Sequence, residues 1–190
     1  MVTFRRLLVF LCLISALLPT CFAQRTPRKC ADIPIPGSDG KTIHVSQYQG
    51  KVLMIEMMLT NCPECLQTMQ FMSKLQKDFG PRGFQAIGVS LDGNIEAVKP
   101  YAERYRFGFP VGHLDSEPAI KFLDLKETGH PVVPYILFVD WQGNVRFQYP
   151  ADAPIFNSAE KNFRQIADGL LRQKAEKKGP QYETRPAGKQ

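Results

Sequence analysis

Apolar and polar positions alternate in regular patterns along the middle of the chain. Two nearly continuous apolar runs, 52–59 and 84–91, are typical of strands buried on both faces of a sheet. Apolar residues recur at helical spacing after each run, and shorter patterns of both kinds follow. We predict strands at 52–59, 84–91, 111–114, 135–139 and 145–149, and helices at 63–79, 95–107, 117–123 and 158 to about 174.

This order predicts an α/β fold with a central mixed sheet flanked by helices. An Asp39-Gly40 turn before a short strand at 42–45 predicts an N-terminal β-hairpin. Asn157, with Glu160 three residues later, resembles a capping box at the start of the last helix. One domain is expected over 24–171, since that length suffices for one core.

A Cys-Pro-Glu-Cys motif, Cys62 to Cys65, lies between the first buried strand and the helix that follows it. Two cysteines at this spacing can form a disulfide if the backbone turns between them, as the first turn of a helix does. Pro63 suits the first helical position, where a missing N–H costs nothing. The exposed N–H groups of a helix start also stabilise a thiolate. We therefore predict that Cys62 is the nucleophile and that Cys65 resolves the mixed disulfide.

A structural zinc site is the alternative interpretation of two cysteines at this spacing. Zinc requires about four ligands, commonly a second such pair or paired histidines. The remaining candidates are scattered along the chain: Cys12, Cys21, Cys30, His44, His113 and His130. No metal and no other cofactor is therefore expected.

Glu56 is the one ionisable residue within the first apolar run. An enclosed carboxylate is costly, so its pKa is expected to be raised. Glu56 stands six residues before Cys62, and this even separation places its side chain on the same face as the last residues of the strand. We interpret Glu56 as the general base that takes the proton of Cys65. The alternative is a solvent-facing Glu at a sheet edge.

The N-terminus has the features of a secretory signal peptide. Arg5 and Arg6 precede an apolar stretch, 7–18, and a small-residue site ends at Ala23. We predict a signal peptide over 1–23 and a periplasmic or secreted protein. A retained membrane anchor is disfavoured, because the apolar stretch is shorter than the roughly 20 residues that span a bilayer. The mature protein is therefore not expected to span a membrane.

A lipoprotein signal cut before Cys21 is a further alternative. It is disfavoured because Pro19 and Thr20 intervene where such sites carry small residues. Cys30 would remain in the mature chain as a free or adventitiously paired thiol near a mobile end.

The net charge of +6 comes from the ends of the chain. Residues 24–171 contain sixteen basic and sixteen acidic residues, whereas 172–190 contain six basic and two acidic ones. The body is therefore neutral, and we expect no nucleic-acid partner. The segment 172–190 is predicted to be a basic disordered tail, into which the last helix extends to about 178.

These motifs resemble the thioredoxin superfamily, in particular the exported TlpA/ResA-like thiol:disulfide oxidoreductases within the broad AhpC/TSA-redoxin group. The resemblance covers about 32–171. It rests on Gly50-Lys51 before a buried strand, the Cys-Pro-Glu-Cys motif, and Val133-Pro134 before a strand and hairpin. Glu56 stands where thioredoxins hold a buried Asp that serves the resolving cysteine.

The resemblance implies a thioredoxin-like fold with a βα insertion at about 94–125. It also implies a cis peptide bond before Pro134, which would bring that loop against the dithiol as part of the active site. Asn61, Pro63 and Val133 would then contact the substrate. The expected partners are disulfide-bearing protein clients and an electron-donor redox protein.

Two departures from related families bear on function. Asn61 replaces the Trp that usually precedes the first cysteine, which alters the docking surface. Peroxiredoxins carry Thr or Ser three residues before their reactive cysteine and Pro four residues before that. Leu59 and Ile55 stand at those positions, so a peroxiredoxin-like antioxidant activity is disfavoured.

A Sco-like copper-binding protein is the alternative from another class. Such proteins add a histidine to two cysteines, and His130 has a similar position relative to Pro134. Cys62, Cys65 and His130 would then bind copper. Against this, Sco proteins separate their cysteines by three residues, one more than here.

The expected function is thus disulfide exchange with protein clients after export. Outside the cytosol a dithiol stays reduced only while a donor supplies electrons. The negative charge of Glu64 between the cysteines should raise the thiol pKa, which favours a reductant over a strong oxidant.

Overall fold

The computed structural model describes residues 27–126 and 131–178. The strands are β1 (Arg28–Lys29), β2 (Ile35–Pro36), β3 (Thr42–Ile43), β4 (Val52–Met58), β5 (Phe84–Ser90), β6 (Val111–His113), β7 (Tyr135–Val139) and β8 (Asn144–Tyr149). The α-helices are α1 (Pro63–Phe79), α2 (Ile95–Tyr105), α3 (Ser116–Leu123) and α4 (Ala159–Lys178).

Six strands form one mixed sheet in the order β1-β8-β7-β4-β5-β6, while β2 and β3 pair as a separate hairpin. Strands β4, β5 and β6 are parallel, and β7 runs antiparallel to β4. All seven residues of β4 and all seven of β5 are buried, as expected for strands with neighbours and helices on both sides. The predicted α/β fold with a central mixed sheet is confirmed.

Two hydrophobic cores lie on opposite faces of this sheet. One joins β4 and β5 to α1, α2 and α4, and the other joins them to α3 and the β2–β3 hairpin. Alternate β4 residues supply them, with Val52 and Met54 in the first and Leu53 and Ile55 in the second. Each fully buried apolar side chain contributes about 1.5–3 kcal/mol, so both faces of β4 anchor the fold.

The predicted elements are present, with differences at their ends. The second hairpin strand covers only Thr42–Ile43, because the next residues form a 3₁₀ turn, Val45–Tyr48. The capping-box prediction is wrong: Asn157 lies inside a 3₁₀ turn, Pro154–Ser158, and the α-helix begins at Ala159. The Glu160 carboxylate instead accepts a hydrogen bond from Lys74 Nζ at 3.0 Å.

The segment around Cys30 is not the mobile end that the sequence indicated. Arg28 and Lys29 pair with Val145 and Asn144 as an edge strand of the main sheet. The Cys30 N–H donates to the Gly143 carbonyl at 2.9 Å. A two-residue strand carries no periodic signal, which explains why the pattern did not reveal it.

The last helix extends to Lys178, as far as the tail prediction allowed. The predicted signal peptide, 1–23, and the rest of the tail, 179–190, lie outside the described residues. Within 27–126 and 131–178, no helix is long and apolar enough to cross a bilayer.

Candidate active site

Cys62 and Cys65 form a disulfide at the start of α1, with their Cα atoms 5.2 Å apart. Cys62 is the N-cap residue, with an extended backbone, and Pro63 follows at the first helical position. The Cys62 sulfur accepts a hydrogen bond from the Cys65 backbone N–H at 3.1 Å. In the reduced protein the same N–H and the helix dipole would stabilise negative charge on Cys62.

The two sulfurs differ in access to solvent. Cys62 is partly exposed, whereas Cys65 is fully buried in the core between the sheet and α1. A bulky disulfide in another protein can therefore reach Cys62 and not Cys65. Asn61, Pro63 and Glu64 around Cys62 are also exposed.

The loop before β7 lies at the same end of the sheet as the dithiol. The peptide bond between Val133 and Pro134 is cis, as the family resemblance implied. Tyr135 pairs with Met57 in the antiparallel β4–β7 register. Pro134, one residue earlier, therefore lies opposite the end of β4 that leads to Cys62. Both Cys62 and Val133 pack against the same core. Val132, two residues before Pro134, has 65% of its surface exposed.

Glu56 is completely buried in the middle of β4. Neither carboxyl oxygen has a hydrogen-bond partner among the described residues. Burial in this apolar setting raises the pKa of Glu56 well above its ordinary value of 4.5. Met54 and Met58, which flank Glu56 on its face of the strand, belong to the same core as Cys65. The enclosed position expected from the sequence is confirmed.

A carboxylate that the sequence did not single out organises the loop before Cys62. Asp92, just after β5, accepts hydrogen bonds from the Thr60 N–H at 3.0 Å and the Thr60 hydroxyl at 3.1 Å. The Ser90 hydroxyl donates to the same carboxylate at 2.5 Å. An Asp-Gly pair after a strand indicates only a turn, so nothing in the sequence linked Asp92 to Thr60.

The copper alternative depends on His130, which lies outside the described residues. Within the described part of the chain, no cluster of three or more His, Cys, Asp or Glu side chains could hold a metal ion. His44 and His113, also candidates in the sequence, are each paired with an aspartate, Asp32 and Asp115.

Comparison with known proteins agrees with this geometry. Residues 27–148 match the model of the AhpC/TSA family. The chain is 30% identical over 99 residues to the thiol-disulfide oxidoreductase ResA of Oceanobacillus iheyensis, a match that covers 52% of this chain and 50% of that protein. The ResA of Geobacillus thermodenitrificans is 24% identical over 149 residues, which cover 74% of this chain and 83% of that protein. The chain spans about half the length of several of the curated relatives that it matches.

Solved structures share the fold. A thioredoxin-family thiol:disulfide interchange protein from Chlorobium tepidum superposes with a TM-score of 0.65 and 23% identity, over 78% of this chain and 99% of that one. The thioredoxin domain of a thiol-disulfide oxidoreductase from Bacteroides vulgatus gives a TM-score of 0.57 and 20% identity, over 73% and 98% of the two chains.

The fold is thioredoxin-like, with a dithiol at a helix N-terminus, and the sequence is similar to ResA proteins. The chain belongs to the AhpC/TSA family.

Proposed function

We propose that this protein is an exported thiol:disulfide oxidoreductase that exchanges disulfides with protein clients and acts as a reductant. The observation that carries the proposal is the Cys62–Cys65 disulfide at the N-terminus of α1, with one sulfur accessible and the other buried. Leu59 and Ile55, in place of the residues that peroxiredoxins carry, favour disulfide exchange over peroxide reduction.

The reaction proceeds in two exchanges. The Cys62 thiolate attacks a client disulfide, which forms a mixed disulfide and releases one client thiolate. Cys65 then attacks the Cys62 sulfur, which closes the Cys62–Cys65 disulfide and releases the second client thiolate. Two electrons thus pass from the dithiol to the client.

Glu56 serves the second exchange as a proton acceptor. Cys65 is buried and must lose its proton before it attacks. Glu56 lies on the same face of the sheet, and its raised pKa makes it a better proton acceptor than an ordinary carboxylate. The proton of Cys65 passes to Glu56 as the new sulfur–sulfur bond forms.

The client contacts the surface around Cys62. Asn61 and Pro63 are exposed beside Cys62, and the Val133-Pro134 loop lies at the same end of the sheet, with Val132 exposed next to it for an apolar contact with the client. An extended client segment beside this loop would place its disulfide against Cys62, in the manner of strand addition.

Glu64 bears on the direction of electron flow. The Glu64 carboxylate lies 4.0 Å from the Cys62 sulfur and disfavours a thiolate there. A less stabilised thiolate makes the reduced form a stronger reductant.

The leader at 1–23 directs the protein to the periplasm or the exterior, where a redox partner supplies electrons.

Mixed-disulfide trapping with a disulfide-bonded model protein tests the function. With dithiothreitol as electron source, the wild-type protein should turn over. Reduced Cys65→Ser, freed of dithiothreitol before the client is added, should accumulate a mixed disulfide through Cys62. Cys62→Ser should trap little, and the control Cys30→Ser should behave as wild type. Equal trapping by both active-site variants would contradict the assigned roles, and no exchange by the reduced wild-type protein would refute the function.

Equilibration with glutathione tests the direction. A reductant should have a midpoint potential below that of the glutathione couple, roughly −250 mV. Visible absorption after copper addition to the reduced protein would instead indicate the Sco-like alternative.

A further inference from the structure

A hydrogen-bond network joins the N-terminal strand, the end of α3 and the first residue of β7. Gln148 of β8 lies at its centre. Its amide nitrogen donates to the Tyr135 hydroxyl at 2.9 Å and to the Leu123 carbonyl at 2.8 Å. Its amide oxygen accepts from Arg28 Nη2 at 3.0 Å. Both polar atoms of the amide are therefore bonded, and the reverse orientation would place its oxygen against the Leu123 carbonyl.

The same network completes the C-terminal end of α3. The last carbonyl groups of a helix have no partner within the helix. Those of Phe122 and Leu123 are bonded by side chains from other strands, with Arg28 Nη2 donating to Phe122 at 3.0 Å and Gln148 donating to Leu123. Arg28 also places a positive charge where the helix dipole favours one, and only 17% of its side chain is exposed.

Two ends of one connection meet in this network. Leu123 closes α3 and Tyr135 opens β7, and Val132 and the cis-bonded Pro134 lie between them in the sequence. Tyr135 follows Pro134 directly, is 6% exposed and packs in the same core as Leu123. A shift of Tyr135 would therefore move Pro134 relative to the dithiol.

The hydroxyl of Tyr135 adds a directional link to this packing. A phenylalanine ring would fill the same space in the core without burying a polar atom. A buried hydroxyl is costly unless it is bonded, and the Gln148 amide supplies that bond. The hydroxyl thus ties the residue after Pro134 to the end of α3, which the ring alone would not do.

We propose that Tyr135, Gln148 and Arg28 are positioning residues that act through Pro134 and hold the Val133-Pro134 loop in place for a protein client. This inference rests on the proposed function and adds a selectivity to it. A client segment that pairs with the backbone of the loop needs that backbone in a fixed position, because ordering the loop on binding would cost affinity. A small disulfide needs only the accessible Cys62 sulfur, so its reduction does not depend on the network.

Tyr135→Phe tests the proposal, with Tyr149→Phe, at a partly exposed tyrosine of β8 outside the network, as the matched control. Reduction of insulin, with dithiothreitol as electron source, gives kcat and KM. In Tyr135→Phe, KM should rise about three- to tenfold, the range of one lost hydrogen bond, while kcat stays within about twofold of wild type. Tyr149→Phe should match wild type in both.

A small substrate separates loop position from the reactivity of the dithiol. The reduced proteins, freed of dithiothreitol, are mixed with hydroxyethyl disulfide, and the reaction is followed by acid quenching and mass spectrometry. Tyr135→Phe should reduce this substrate within about twofold of the wild-type rate, because Cys62 and its helix are unchanged.

Gln148→Leu provides a second variant that breaks the same link. It should raise the KM for insulin as Tyr135→Phe does, and the double variant should add little further effect, since both changes remove one interaction. Gln142→Leu, at an exposed glutamine in the turn before β8, is the control and should match wild type.

Hydrogen exchange gives a readout independent of turnover. The backbone N–H groups of Val132 and Val133 should exchange faster with deuterium in Tyr135→Phe than in wild type, while those of α1 keep their wild-type rates. A change confined to the loop is expected of lost positioning and not of general destabilisation.

A wild-type KM for insulin in both Tyr135→Phe and Gln148→Leu would overturn the positioning role alone. An equal loss of rate with insulin and with hydroxyethyl disulfide would also overturn it, because the effect would then lie at the dithiol or in the fold as a whole. A wild-type protein that does not reduce insulin would instead overturn the proposed function.

Discussion

The carboxylate of Asp92 binds both polar groups of Thr60, the backbone N–H at 3.0 Å and the hydroxyl at 3.1 Å. These bonds join the end of β5 to the loop that enters the dithiol, across 32 positions of the chain. The position of Cys62 therefore depends on a residue from another strand.

Asp92→Asn should destabilise the oxidised protein by about 1–2 kcal/mol, because an amide replaces a carboxylate that accepts three hydrogen bonds. Urea denaturation followed by circular dichroism measures this. Asp152→Asn, at an exposed aspartate, is the control and should change stability little. Equal stability of the two variants would show that Asp92 does not hold the loop.

Glu64→Gln should make the midpoint potential less negative. Two unit charges 4 Å apart in water interact by about 1 kcal/mol, which corresponds to roughly 20 mV for a two-electron couple. Removing the Glu64 charge, 4.0 Å from Cys62, would stabilise the thiolate and hence the reduced form. Equilibration with glutathione at low salt measures the change. A midpoint potential that stays the same or becomes more negative would contradict the predicted effect of the Glu64 charge.

Glu56→Gln should change how stability depends on pH. The pKa of Glu56 is raised in the folded protein above its ordinary value of 4.5. The folded state therefore holds this proton above pH 4.5, where the unfolded chain releases it, and stability falls as pH rises toward the folded pKa. The free energy of unfolding of Glu56→Gln, relative to that of wild type, should accordingly rise with pH across this range.

Urea denaturation of both proteins at several pH values measures this difference. Glu103→Gln, at an exposed position on α2, is the control and should follow wild type. A constant difference between Glu56→Gln and wild type would mean that Glu56 keeps its ordinary titration.

The same Glu56→Gln variant should exchange disulfides about ten- to a hundredfold more slowly near neutral pH, since it lacks the proton acceptor for Cys65. Turnover of a disulfide-bonded client from about pH 6 to 9 measures the effect. A wild-type rate throughout that range would make Glu56 a structural residue.

Cys30 should resist alkylation in the native reduced protein. Burial raises the pKa of its thiol to about 12, so almost none is thiolate near neutral pH. Iodoacetamide labelling with peptide mapping should modify Cys62 rapidly and Cys30 only after denaturation. Equally fast labelling of Cys30 would point to a third reactive cysteine.

Local patterns in the sequence determined most of the secondary structure and the form of the dithiol. An apolar run such as 52–59 specifies a buried strand wherever it lies, and a cysteine before a proline specifies a helix start with a capping sulfur. The burial of Glu56 followed equally from its apolar neighbours. These features depend on residues a few positions apart, so the sequence alone expresses them.

Contacts between distant segments were decided only by the tertiary structure. The β4–β5–β6 register places Glu56 and His113 on one face of the sheet, and α2 packs Tyr101 into the core on that face. The short strand at Arg28–Lys29 exists because β8 offers it an edge. No periodicity encodes such pairings, because their energy comes from surfaces that meet only after the chain has folded.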